Sequence, residues 1–85
     1  MNWELQIPKK VVRQLKRFPR KESERLISNI QQLVFNPYAG DIEKMSGEDD
    51  LWRRRIGSYR IKYDVNIARK SIVIISVERR VSHTY

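Results

Sequence analysis

Leu51 to Tyr63, LWRRRIGSYRIKY, reads as a β-hairpin, and it constrains this chain more than any other stretch. Gly57-Ser58 puts glycine first in a two-residue turn, the signature of a type II′ hairpin, and the flanking residues alternate in character. Such a turn pairs Ile56 with Tyr59, Arg55 with Arg60, Arg54 with Ile61, Arg53 with Lys62 and Trp52 with Tyr63. Directly opposed residues share a face. One face therefore collects Trp52, Ile56, Tyr59, Ile61 and Tyr63, with Arg54 out of pattern, and the other collects Arg53, Arg55, Arg60 and Lys62. Like charges set opposite each other destabilise a sheet by a few tenths to about 1 kcal/mol per pair. These cations have no carboxylate partner within the hairpin, so an external anion is expected to offset their repulsion.

The flanking segments supply what the hairpin packs against. Trp3, Leu5 and Ile7 alternate with Glu4 and Gln6, the period of a half-buried strand, which Pro8 stops. From Lys9 to Phe18 the apolar Val11, Val12, Leu15 and Phe18 fall at helical spacing among Lys9, Lys10, Arg13, Lys16 and Arg17. After Pro19 a second helical period runs through Leu26, Ile27, Ile30, Leu33 and Val34 and ends at Asn36-Pro37. Residues 37–50, with Gly40, Gly47 and five acids, show no sustained period and read as a connecting loop. Ser71 to Val77, SIVIISV, is a β-branched run too short for a helix and too continuous for an edge, hence a central strand. The order β-α-α-β-β-β predicts a single α+β domain over residues 1–85, an antiparallel sheet with both helices packed on one face.

Charge narrows the partners. Eighteen Lys and Arg against ten Asp and Glu give a net charge of +8 and a pI near 10.2, which predicts attraction to nucleic acid, an anionic membrane or an acidic protein. The absence of cysteine excludes a disulfide framework, a thiol nucleophile and a Cys-based zinc site. The N-terminus, charged within its first five residues, has no apolar run long enough for a signal peptide or a membrane span, so a cytoplasmic location without membrane contact is expected.

The chain closes in VERRVSHTY, which brings Arg79, Arg80, His83 and Tyr85 to one end of the sheet. If Asp64 pairs with Val73, then Arg60, Val77 and Arg79 share the cationic face, and a one-residue shift would put Arg80 in place of Arg79. Clustered guanidiniums with a His and a Tyr suit phosphodiester transfer. Its transition state gathers negative charge on phosphoryl oxygens, which preorganised Arg donors stabilise by bidentate, charge-assisted hydrogen bonds. RNA brings its own nucleophile in the 2′-OH, so such a reaction needs neither a metal nor another cofactor. The proton steps fall to His83, whose ordinary pKa lies near 6.5, or to Tyr85, whose phenol nearby positive charge would acidify. Tyr85 could equally stack on a base.

At these residues the chain resembles the RelE/ParE superfamily, the toxins of type II toxin-antitoxin pairs. The resemblance spans nearly the whole chain. It includes the element order, the Asn36-Pro37 stop, the loop into Lys44-Met45-Ser46-Gly47, the Trp52-Arg53-Arg54-Arg55-Ile56 strand, the Gly57-Ser58-Tyr59-Arg60-Ile61-Lys62-Tyr63 hairpin and the Arg-rich end closing on Tyr85. The RelE-like branch implies an endoribonuclease that cuts messenger RNA on the ribosome, leaving a cyclic phosphate and a free 5′-OH. Carried over by resemblance, Arg60 and Arg79 stabilise the phosphate, and Arg53 and Arg55 are the basic strand positions; Lys62 from the hairpin face and Arg80 from the chain's end join Arg53 and Arg55 as expected RNA contacts. Tyr85 and His83 complete the catalytic group, with Glu43 as a poorly aligned candidate base. Two departures stand out: Ser46 occupies a position where relatives often carry a basic residue, and Thr84 separates His83 from the final Tyr85. The resemblance also implies an acidic antitoxin as partner, and an uncompensated cationic face is a natural seat for an acidic segment that folds on binding. Two other readings share the charge pattern: a ParE-like inhibitor of DNA gyrase, and a noncatalytic RNA-binding module.

Overall fold

The computed structural model describes residues 3–45 and 50–79. Strand β1 (Glu4–Gln6) leads into helices α1 (Lys9–Arg17) and α2 (Arg20–Gln32), followed by β2 (Ile42–Lys44), β3 (Leu51–Ile56), β4 (Tyr59–Asn66) and β5 (Ser71–Arg79). The five strands form one sheet in the order β1-β5-β4-β3-β2. This is the expected α+β arrangement with two additions.

Pairing of β1 with β5 is parallel, so the sheet is mixed rather than wholly antiparallel. The three-residue strand β2 forms within the segment read as a loop and lies antiparallel on the outer edge of β3. Only Asp41-Ile42-Glu43 alternates there, with Ile42 half-buried between exposed carboxylates, and three residues are too few for a period to declare itself.

The hairpin forms in the register its turn dictates, from Ile56 opposite Tyr59 through Trp52 opposite Tyr63. Gly57 takes φ 56° while Ser58 stays at negative φ, the arrangement that places glycine first in a type II′ turn. Alternation then separates the faces along β4. Tyr59, Ile61, Tyr63 and Val65 are buried beneath the helices, while Arg60, Lys62 and Asp64 turn to the open side.

Both helices bury their apolar stripes on that inner face. Val11 and Leu15 of α1 and Leu26 and Ile30 of α2, with Leu33 just beyond, join Ile56, Tyr59, Ile61, Tyr63, Val65, Ile72, Ile74 and Val77 in one core. Phe18 packs edge-on against Tyr59, with ring centroids 4.9 Å apart. Val12 and Ile27, at the margins of the two stripes, remain exposed. α2 ends four residues before Asn36: Val34 and Phe35 donate to the carbonyls three residues back, so the last turn tightens before the chain leaves the helix.

Tyr63 ties that exit to the sheet, its buried hydroxyl donating to the Pro37 carbonyl at 2.6 Å. Burial pushes its phenol up to about 12, against the opposing pull of the nearby Arg54 guanidinium. Arg54, the residue out of pattern in the hairpin, follows the register and turns inward. It is 9% exposed, with Nη2 only 3.4 Å from Gln32 Oε1, and Gly40 passes directly over it. A Cβ at Gly40 would stand 2.8 Å from Nη2, and the φ of +86° there also selects glycine.

Candidate nucleic-acid interface

Four cations occupy the middle of the open face because β3 and β4 alternate in step: Arg55 lies opposite Arg60, and Arg53 opposite Lys62. Arg53, Arg55 and Arg60 line a pocket of about 200 Å³ together with Asp41 and Glu43. The predicted basic group is thus assembled on one surface.

The offset for their repulsion comes largely from within the chain. Glu43, brought across from Arg53 by β2, approaches its Nη2 at 2.9 Å, and Asp41 lies 3.4 Å from Arg55 Nε. On the other flank Lys62 Nζ meets Glu78 at 2.9 Å. The expectation of guanidiniums lacking carboxylate partners therefore fails for Arg53 and Arg55, because the missed strand β2 carries acids to the rim. Arg60 differs: among the described residues it forms no ion pair, and it is half-buried between these paired neighbours.

Arg79 does not join that face. Asp64 does pair with Val73, as expected, but a β-bulge intervenes where Tyr63 opposes Ile74 and Lys62 opposes Ser76. Ile75 is the extra residue, and beyond it every side chain of β5 changes sides. Val77 consequently opposes Ile61 in the core, Glu78 stands across from Arg60, and Arg79 lies across from Tyr59 at the sheet's end. The Val77 amide donates to Gln14 Oε1 of α1 at 2.9 Å, tying this part of β5 to the helix. Arg80, His83 and Tyr85 lie outside the described residues, as does Ser46.

Glu78 was not foreseen as part of this surface, since no local pattern signals a bulge. Its hydrogen bond to Lys62 holds its carboxyl below the ordinary carboxylate range, although partial burial opposes the effect. A depressed carboxyl stabilises the fold above its unfolded-state pKa and loses that contribution as pH falls through the folded value. Glu78→Gln is therefore expected to lower the melting temperature at neutral pH, with the gap to wild type closing in acid. A gap independent of pH between 3 and 7 would contradict the pairing.

The long-range field has another origin. Lys9, Lys10, Arg13, Lys16, Arg17, Arg20 and Lys21 are all exposed, and no acid interrupts them. Set against a chain total of +8, this run holds most of the excess charge. It sits in the helical layer, across the sheet from the pocket. Among the described residues no helix is long and apolar enough to cross a membrane.

Known proteins share the fold and up to about a third of the sequence. Residues 5–82 match the family model described as the ParE toxin of the type II toxin-antitoxin system parDE. Over 83 residues the chain is 31% identical to a Methanocaldococcus jannaschii protein named "Putative toxin RelE1", covering 94% of this chain and 92% of that protein. It is similar to a chain of the archaeal RelE-RelB complex from Pyrococcus horikoshii OT3, at 32% identity and TM-score 0.81 over 94% of this chain and 97% of that one. The isolated E. coli RelE toxin shares the fold at TM-score 0.80 but only 17% identity, over 95% of this chain and 87% of that one. Fold and similarity together define a toxin of the type II toxin-antitoxin class. Within that class the chain belongs to the RelE/ParE superfamily and is RelE-like.

Proposed function

We propose that this toxin is an endoribonuclease that cleaves messenger RNA on the ribosome. The 2′-OH attacks the adjacent phosphorus, the bond to the 5′ oxygen breaks, and the products are a 2′,3′-cyclic phosphate and a free 5′-OH. The observation that carries this reading is Arg60, a half-buried guanidinium without an ion pair among the described residues, set in a pocket between Arg53 and Arg55. Such a group has its fork of donors free for a phosphoryl oxygen, and charge developing there in the transition state strengthens the contact. Arg53, Arg55 and Lys62 hold the flanking backbone. Arg79, turned to the side of Tyr59 by the bulge, is left out of this group, and Arg80, His83 and Tyr85 complete it. His83 or Tyr85 moves the protons. The basic run of α1 supplies sequence-independent attraction to ribosomal RNA.

An acidic antitoxin is the proposed partner that restrains the toxin, in keeping with the RelE-RelB complexes among its structural relatives. The proposal is tested by recovering transcripts from a translation extract treated with the protein. Discrete cuts ending in cyclic phosphate are expected, and a stalled extract whose transcripts stay intact would refute it. For the proton carrier, unchanged single-turnover cleavage by His83→Gln would leave the role to Tyr85 or to another group.

The matching family model is described for ParE toxins, which favours a second reading, a noncatalytic inhibitor of DNA gyrase. Induction would then produce DNA damage in place of cut transcripts.

A further inference from the structure

The register that turns Arg53 and Arg55 to the open face turns Arg54 inward, between Ile42 on β2 and Ile61 on β4, where alternation calls for an apolar side chain. No acid meets it there among the described residues. Nη2 has only the long contact to Gln32 Oε1, and Nη1 is buried without a hydrogen-bond partner. Taking a guanidinium out of water without a countercharge is expensive. Its place near the C-terminal end of α2, whose last turn carries no basic residue, recovers part of that cost through the helix dipole. Leucine would fill the site without the penalty, so stability does not account for the arginine.

Its surroundings point to another reason. An ideal Cβ on Gly40 would stand 2.8, 2.9 and 3.0 Å from Nη2, Nε and Cζ, so the Gly40 backbone lies across the plane of the guanidinium. The next residues form the rim of the pocket. The Asp41 carbonyl accepts from the Arg55 amide at 2.9 Å, the Asp41 carboxylate faces Arg55 Nε, and Glu43 meets Arg53. Strand β2 has three residues, of which only Ile42 is half-buried, so it has little packing of its own to keep it on the sheet's edge. The Tyr63 hydroxyl pins the start of this segment at the Pro37 carbonyl. Between that pin and the rim, the segment rests on Arg54.

We infer that Arg54 is a positioning residue, acting through Gly40 and β2 to hold Asp41 and Glu43 against Arg55 and Arg53. Those carboxylates in turn fix two guanidiniums beside Arg60 before RNA arrives, which removes rotamer freedom that the transition state would otherwise have to take away. This deepens the ribonuclease reading and rests on it. A planar group suits the task because its face receives the glycine backbone while its edge reaches Gln32.

The test replaces Arg54 by the residue that alternation calls for. Arg54→Leu, with Arg54→Met as an unbranched second variant, should melt at or above the wild-type temperature, because a buried charge gives way to an apolar side chain. Amide hydrogen exchange should nevertheless quicken about tenfold or more at Arg55, whose amide donates to Asp41, while the amides of β4 stay protected. Single-turnover cleavage of ribosome-bound RNA should slow by about 10- to 10²-fold, the cost of misplaced groups, with the half-saturating toxin concentration unchanged. A protected Arg55 amide with a wild-type rate would show that Arg54 only fills space, and the inference falls. Faster exchange throughout the sheet with a lower melting temperature in both variants would make its role structural and overturn the inference as well. Loss of protection at Arg55 with an unchanged rate would break the link from the rim to cleavage. Wild-type protein that cuts no transcript would refute the ribonuclease reading itself, while the exchange and melting arms still decide whether Arg54 sets the rim.

Discussion

Arg60→Ala is expected to slow single-turnover cleavage of ribosome-bound RNA by about 10²- to 10³-fold, the cost of losing one preorganised donor aimed at developing charge. Thermal stability should change little. Arg60 has no ion pair to lose among the described residues, and the lost attraction to Glu78 on β5 is set against relief of the like-charge contact with Arg55 on β3. That combination separates a functional residue from a structural one. Arg60→Lys should recover only part of the rate, because a point charge cannot reproduce a planar fork of donors. Arg53→Ala and Arg55→Ala are expected to cost less, since in the free protein each of those cations is already partly engaged by Glu43 or Asp41. The measurement is the first-order rate with saturating toxin. A rate for Arg60→Ala within threefold of wild type would remove Arg60 from the mechanism.

Ile61→Ala should destabilise the domain by about 2–5 kcal/mol, the usual cost of emptying a fully buried aliphatic site. Ile61 is 0% exposed in the middle strand, between Arg54 on β3 and Val77 on β5. Single domains are stable by only about 5–15 kcal/mol, so such a loss removes a large share of the total. A urea titration should show a lower midpoint with an unchanged slope. The position also bears on the site: Ile61 anchors the strand from which Arg60 and Lys62 project to the opposite side. A shift below 1 kcal/mol would mean that this face of β4 is not the core.

The hairpin register, the burial of Tyr59 and Tyr63, the two helices and the gathering of Arg53, Arg55, Arg60 and Lys62 were all legible from the chain. Each is settled by neighbours a few residues apart. A two-residue turn fixes which residues oppose each other, and a period of two or 3.6 decides which side meets water. The inward turn of Arg54 follows from the same alternation, although its buried setting beneath Gly40 does not. Strand β2 was missed because three residues carry too little pattern, and with it the roles of Asp41 and Glu43 in the pocket.

The sequence by itself determined the two helices, the hairpin and the cationic face, because local backbone geometry and short-range periodicity act on residues adjacent in the chain. Only the tertiary structure decided that β1 runs parallel to β5, that the bulge at Ile75 turns Arg79 towards Tyr59 and sets Glu78 opposite Arg60, and that the rim acids neutralise Arg53 and Arg55. Those outcomes depend on how distant segments share hydrogen bonds and space. A single extra residue in one ladder reverses the facing of everything beyond it, and no local pattern in the chain announces where it will fall.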